Sequence, residues 1–176
     1  IAGFLVAVPA LFIGLAMSHV VELEPSPNLL SLGEPLLFQG SAWFIFGTQP
    51  DHLSINLHPM AFAAWFGLLA TALNLFPIGQ LDGGHISYAV LGRKSSWVTL
   101  GTVGVAVVLT YFSTSWLVWT TLMVVMLLLF GRHHPRTFDE DVPLDRTRLI
   151  LALFALVMFI VCFTPAPIGP ADLIGG

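Results

Sequence analysis

Long uncharged apolar runs alternate along the chain with short segments that contain nearly all of its charged residues. A helix needs about 20 consecutive apolar residues to cross a bilayer. The run 95–131 is too long for one crossing, and its polar cluster YFSTSW predicts two helices joined by a tight turn. The predicted helices are 1–21, about 58–81, 96–111, 116–130 and 148–164. The pattern therefore predicts an all-α, polytopic membrane protein with about five transmembrane helices.

Composition supports a chain embedded in a lipid bilayer. Of 176 residues, 56% are hydrophobic and 9% are charged, whereas a soluble domain has about 25% charged residues. We therefore expect residues 1–176 to form a single transmembrane domain. The net charge of −4, without a basic stripe, argues against a nucleic-acid partner. The single cysteine, Cys162, excludes an intrachain disulfide and is interpreted as a packing residue.

The basic residues predict how the chain is oriented. Lys and Arg are enriched in short cytoplasmic loops, and all six lie at 93–94 or within 132–148. Two predicted crossings separate these groups, so we expect both on the cytoplasmic side, with 131–148 as a cytoplasmic loop. The segment 22–57 has acidic but no basic residues and is predicted to be an extracytoplasmic loop. Within it, the stretch PLLFQGSAWFIFG is expected to lie on the membrane, dip into it or pack on the helices.

One carboxylate, Asp82, follows an uncharged run from residue 52 to residue 81. A carboxylate at membrane depth costs on the order of 2.5–3.5 kcal/mol on insertion scales, so such residues usually mark a functional site. Pro77 lacks a backbone donor, and Gly79, Gly83 and Gly84 favour an irregular helix end. Irregular backbone at membrane depth is tolerated only where it faces protein or a wet cavity. The sequence therefore predicts a broken helix beside a cavity.

Small residues form a stripe on the helix before Asp82, which allows close approach of another helix. The members of the stripe are Ala63, Gly67, Ala70, Asn74 and Pro77. The first predicted helix carries a matching set, namely Gly3, Ala7, Ala10 and Gly14. We therefore expect these two helices to pack together, with Asn74 on the seam.

The run NLFPIGQLDGG, residues 74–84, resembles the second signature of the site-2 protease family of intramembrane zinc metalloproteases, an Asn followed by Pro and then Leu-Asp-Gly. The stretches HPMAFAAWFGLLATALN and HHPRTFDEDVPLDRTR are also similar to bacterial, archaeal and plastid members. The resemblance implies a multi-pass protein of a bacterial or archaeal cell membrane or of a plastid membrane. It also implies a zinc metalloendopeptidase that cleaves a transmembrane segment of a substrate protein.

The chain departs from the family because it lacks the HExxH helix, which supplies two zinc-binding His and the catalytic Glu. We therefore expect the chain to be the C-terminal portion of a protease, active only with those upstream helices as partners. By the resemblance, Asp82 would be the third protein ligand of zinc. Asn74 would have a catalytic role beside it, hydrogen-bonding the substrate backbone or the oxyanion.

Other interpretations stay open at this point. Asp82 alone fits a solvated helix cap, and Asn74 fits a helix–helix hydrogen bond. His85 reaches the same ligand as Asp82 only on an unbroken helix, and His58 is expected to begin a helix with His19 nearby. His133 and His134, with Asp139, Glu140 and Asp141, are expected to lie in a solvated loop. A transporter and a catalytically inactive, protein-binding relative are the alternative functions; an upstream HExxH would favour the enzyme.

Overall fold

The computed structural model describes residues 2–22, 30–48, 53–79, 81–112, 114, 116–131, 144–165 and 168–170. Within these residues the chain is mostly helical. The helices are α1 (Ala2–Ala16), α2 (Leu36–Phe46), α3 (Pro59–Asn74), α4 (Asp82–Leu91), α5 (Ser95–Phe112), α6 (Trp116–Phe130) and α7 (Arg146–Cys162), with a 3₁₀ turn at Gly92–Lys94. The short strands are β1 (His19–Glu22), β2 (Leu30–Leu32), β3 (Leu53–Asn56) and β4 (Ile168–Pro170).

The mostly helical fold agrees with the all-α prediction, to which the described residues add two short two-stranded ribbons. β1 pairs with β3 in antiparallel register, with His19 opposite Asn56, and β2 pairs with β4, with Leu30 opposite Pro170. β-branched residues of β1 and β3 favour extended backbone, and pairing satisfies the backbone groups of both strands. The predicted loop 22–57 therefore contains ordered strands together with α2. Its predicted extracytoplasmic side stays a prediction.

The helix boundaries agree with the sequence at the C-terminal end of the chain and differ near Asp82. The run 95–131 divides into α5 and α6, as predicted, and α7 lies within two residues of its predicted bounds. The predicted helix 58–81 ends early, at Asn74, and a separate helix, α4, begins at Asp82. Among the residues that the structure describes, one helical stretch, Asp82–Phe112, has the length and apolar composition needed to cross a membrane, while α1, α2, α3 and residues 116–129 of α6 are shorter apolar helices.

One compact unit comprises residues 1–72 and 160–176. Its core contains Leu11 and Leu15 of α1, Trp65 and Leu68 of α3, and Cys162, which is buried as predicted. The indole Nε1 of Trp65 donates a hydrogen bond to the carbonyl oxygen of residue 33 at 2.8 Å. This bond satisfies the indole N–H, which would otherwise be buried without a partner.

Small residues let α1 and α3 pack closely within this unit. A Cβ placed on Gly67 would lie 3.0 Å from the Cβ of Ala7, and one on Gly14 would collide with the backbone of Ala61. The predicted packing of these helices is therefore present, and it runs antiparallel. The predicted face needs correction, because Ala63 and Ala70 are exposed. The buried face of α3 instead contains Ala61, Ala64, Trp65, Leu68 and Ala72.

The second compact unit comprises residues 73–159. Phe76 lies at its centre, with its ring centroid 5.4 Å from that of Trp119 and 5.1 Å from that of Phe159. The hydroxyl of Thr99 in α5 donates a hydrogen bond to the carbonyl oxygen of Pro77 at 2.6 Å. These contacts hold the segment between α3 and α4 against α5, α6 and α7.

Candidate functional site

The helix break before Asp82 follows from the residues at its centre. Pro77 has no N–H to donate, and Gly79 has a φ of 50°, which favours glycine. Local turns replace the helical hydrogen bonds, with the N–H of Phe76 donating to the carbonyl of Leu73 at 3.3 Å and that of Ile78 donating to the carbonyl of Phe76 at 2.7 Å. The predicted broken helix is therefore present between Asn74 and Asp82.

Two glycines allow this broken segment to contact the first turn of α4. A Cβ on Gly83 would collide with the carbonyl of Leu75, and a Cβ on Gly84 would collide with the carbonyl of Gly79. Backbone at these contacts has little room to shift, because interiors are close-packed. The glycines therefore fix the position of the start of α4 relative to the end of α3.

Asn74 and Asp82 meet across the break. The side-chain amide of Asn74 donates a hydrogen bond from Nδ2 to Oδ2 of Asp82 at 2.7 Å. The backbone N–H of Asp82 lies 3.5 Å from Oδ1 of Asn74 and points back to the same side chain. Both side chains are exposed. The acidic side chain also lies in the first turn of α4, where the helix dipole favours negative charge.

The donor chemistry of this pair fits one ligand of a metal site. A carboxylate is a common zinc ligand, and an amide that binds one of its oxygens orients it, as outer-shell partners of metal ligands do. Within the described residues, however, no group of three or more His, Cys, Asp or Glu comes together. The described part of the chain thus contains no complete coordination shell, and Asp82 is a candidate for one ligand.

The histidines among the described residues have identifiable local contacts. Nδ1 of His85 lies 2.9 Å from the carbonyl oxygen of Leu81, and the backbone N–H of His85 donates to the same oxygen at 3.0 Å. His58 precedes α3, as predicted, and its Nδ1 accepts a hydrogen bond from the N–H of Met60 at 3.2 Å. His19 lies in β1, opposite Asn56. His133, His134, Asp139, Glu140 and Asp141 lie outside the described residues.

The sequence predicted neither the hydrogen bond between Asn74 and Asp82 nor the helix α4. The short apolar run ISYAVL after Gly84 was the available signal for α4. A cavity of about 430 Å³ beside α4 was also not located from sequence, although a cavity near the break was expected.

The described residues thus place a carboxylate and an amide side by side at a helix break in an apolar, helical chain. The family model described as Peptidase family M50 matches residues 1–113, which is more than half of the chain. The chain therefore belongs to peptidase family M50, and the resemblance to site-2 proteases is confirmed.

Curated relatives agree with this family. The chain is 28% identical to "Probable zinc metalloprotease EGY2, chloroplastic" of Oryza sativa subsp. indica, over 98% of this chain and 32% of the relative. It is 27% identical to the protein of the same name from Arabidopsis thaliana, over 92% of this chain and 29% of the relative. "Probable zinc metalloprotease EGY1, chloroplastic" of Arabidopsis thaliana is 33% identical over 57% of this chain and 19% of its own length. No solved structure matches.

The chain spans about a third of the length of the two EGY2 relatives. Their names support a protease and confirm zinc as the cofactor expected for the family. Their chloroplast assignment is consistent with a plastid membrane, one of the locations implied by the sequence resemblance.

Proposed function

We propose that this chain forms part of an intramembrane zinc metallopeptidase in which Asp82 is the third protein ligand of zinc. The observation that carries the proposal is the hydrogen bond between Asn74 and Asp82, formed by two residues of the family signature across a helix break. The other ligands, two His, and the catalytic Glu would lie on a HExxH helix outside these 176 residues. Activity would then need that helix.

Asn74 and the glycines prepare Asp82 for this role before any metal binds. The amide of Asn74 occupies Oδ2, which restricts rotation of the carboxylate. Gly83 and Gly84 have no Cβ, so the backbone on both sides of the break can stay in contact, whereas a Cβ at either position would collide with it. A ligand held in position loses little freedom on binding, which favours metal affinity. When bound, zinc supplies a Lewis acid that polarises the scissile carbonyl.

Asn74 has a second donor for substrate. An amide nitrogen carries two hydrogens, and one of them serves Asp82. The other is suited to a carbonyl or oxyanion of a peptide placed beside Asp82, which is the catalytic role predicted for Asn74 from sequence. The two roles are compatible because they use different hydrogens.

The substrate in this proposal is a transmembrane segment of another protein. The apolar composition of the chain and the helical stretch Asp82–Phe112 support a site at or near the membrane. Together with the shorter apolar helices, they support a multi-pass arrangement in a cell membrane or a plastid membrane, with the lipid bilayer as a partner. No nucleic acid takes part.

The substitution Asp82→Asn tests the proposed ligand. In the peptidase with its HExxH helix present, it keeps the size of the side chain and removes its charge, so zinc content and cleavage of a model transmembrane peptide should both be lost. Asp145→Asn is the matched control, because Oδ1 of Asp145 accepts a hydrogen bond from the N–H of Arg148 at 2.8 Å at the start of α7, and Asn serves as well as Asp at such a cap. Full zinc content and activity in folded Asp82→Asn protein would refute the assignment.

A further inference from the structure

A cavity of about 430 Å³ lies within the unit formed by residues 73–159, between α4, α5 and α7. Its wall includes Ile86 and Val90 of α4, Val98 of α5, and Leu149, Leu153 and Leu156 of α7. A helical turn about 10 Å wide and 5.4 Å long occupies about 420 Å³. The cavity therefore holds about one turn of chain, or a few side chains, and not a whole membrane-spanning segment.

The cavity lies next to the candidate metal site along the chain, while Asn74 and Asp82 themselves are not among its lining residues. Leu75, Pro77 and Gly83 line it, and Leu75 and Gly83 are the chain neighbours of Asn74 and Asp82. Adjacent Cα atoms are about 3.8 Å apart. A side chain that fills the cavity near Gly83 is therefore attached to a backbone that lies close to the exposed Asn74–Asp82 pair.

The lining selects for apolar groups. No charged side chain lines the cavity in the part of the chain that the structure describes. Its hydroxyl group, on Ser87, donates to the carbonyl oxygen of Gly84 at 2.9 Å and is thus already bonded. A polar group entering the cavity would lose its water without gaining a partner, which is unfavourable.

We propose that this cavity is the specificity pocket of the peptidase and takes a large apolar side chain, such as Leu or Phe, next to the scissile bond of the substrate. The inference rests on the proposed function, because it assumes that peptide is cut beside Asp82. A peptide suits both the cavity and the neighbouring pair, because its apolar side chain can fill the cavity while its polar backbone contacts Asn74 and Asp82. A lipid acyl chain would fill the cavity, but the ester carbonyl at its end only accepts hydrogen bonds and offers no donor to the Asp82 carboxylate, whereas a peptide backbone both donates and accepts.

Filling the pocket tests the proposal in the zinc-loaded peptidase with its HExxH helix present. Ala152 lines the cavity from α7, so Ala152→Phe should occupy part of it. Ala89→Phe is the matched control, because Ala89 is exposed on α4 and is not part of the lining. The substrates are model transmembrane peptides that differ only in one residue beside the scissile bond, Ala or Leu.

The native enzyme should prefer the Leu peptide over the Ala peptide by about 10-fold or more in kcat/KM, since small differences in apolar fit typically give such ratios. Ala152→Phe should reduce this preference to near unity, while zinc content stays unchanged and Ala89→Phe keeps the preference. A Leu preference that survives in folded Ala152→Phe protein overturns the pocket. If the native peptidase binds no zinc and cleaves neither peptide, the proposed function itself is overturned.

A crosslinking measurement does not depend on cleavage. In a Cys162→Ala background and with an added thiol oxidant, Ala152→Cys should form a disulfide with a model peptide that carries Cys beside the scissile position, and Ala89→Cys should not. A photoreactive fatty acid serves as the competing probe. Displacement of the fatty acid from Ala152→Cys by the Leu peptide supports the proposal, whereas fatty-acid labelling that the peptide does not reduce overturns it.

Discussion

At the scale of single residues, Asn74 and Asp82 join the end of one helix to the beginning of the next. The 2.7 Å contact pairs an amide donor with a carboxylate acceptor, and hydrogen bonds to charged groups are stronger than those between neutral groups. The pair is exposed, so its contribution to folding is smaller than that of a buried pair. Its main consequence is orientation, because one oxygen of Asp82 is held while the carboxylate stays accessible.

Asn74→Ala should therefore lower zinc affinity by about 10–100-fold, the usual effect of removing an outer-shell partner of a metal ligand. The measurement is the zinc dissociation constant of the complete peptidase, determined by competition with a chelator. Asn56→Ala, an exposed Asn in β3, is the control and should leave zinc affinity unchanged. Unchanged zinc affinity with a loss of about 10²-fold in kcat would assign Asn74 to the oxyanion instead.

At the scale of elements, the sequence predicted the break but not its boundaries. Pro77 and the glycines indicate that a helix is interrupted, yet where α3 ends depends on the contacts of Gly83 and Gly84 with residues 75 and 79. Those contacts form only when the chain folds back. The hydrogen bond between Asn74 and Asp82 depends on the same geometry, so the signature identified both residues without predicting that they pair.

The strand β1 was missed for a different physical reason. Residues 1–21 form one apolar run, and periodicity in such a run does not distinguish helix from a short strand. The helix ends at Ala16, and the hydroxyl of Ser18 then donates to the carbonyl oxygen of Gly14 at 2.8 Å and accepts a hydrogen bond from the N–H of His58 at 2.9 Å. The partner of β1 is β3, more than 30 residues later, so its pairing is a long-range contact that local sequence does not specify.

The packing of α1 against α3 gives a prediction for stability. Gly14→Ala should lower the free energy of unfolding by about 1–3 kcal/mol, because its Cβ would meet the backbone of Ala61 and overpacking typically costs this much. The corresponding fall in Tm is roughly 2–12 °C for a chain of this size, measured by thermal unfolding in detergent. Gly3→Ala is the control, since its Cβ would make an ordinary 3.6 Å contact with Thr71. Equal Tm values for the two variants would contradict the close approach.

At the scale of the whole molecule, the six basic residues predict its orientation in the membrane. Ser95 is buried, so the neighbouring Ser96, which is partly exposed and uncharged, is the better position for a labelled cysteine. In a Cys162→Ala background, Ser96→Cys and Thr137→Cys should react with a membrane-impermeant thiol reagent from the cytoplasmic side. Ser31→Cys should react only from the other side. Labelling of Ser96→Cys and Thr137→Cys from opposite sides would contradict the two crossings predicted for α5 and α6.

The number of metal ligands limits what the 176 residues can bind without a partner helix. A catalytic zinc site usually has three protein ligands, and the described part of this chain brings together no group of three candidate donors. The 176 residues alone should therefore bind zinc weakly and cleave no peptide.

Adding a HExxH-bearing helix, in the same polypeptide or by co-expression, should restore one zinc per molecule by completing a shell of two His and one carboxylate, together with cleavage of a model transmembrane peptide. Recovery should fail with Asp82→Asn, with zinc content measured by mass spectrometry and retention of the fold checked separately by thermal unfolding in detergent. One tight zinc in the 176-residue chain, lost on both Asp82→Asn and His85→Ala, would show that the prediction is wrong and that α4 itself holds the metal.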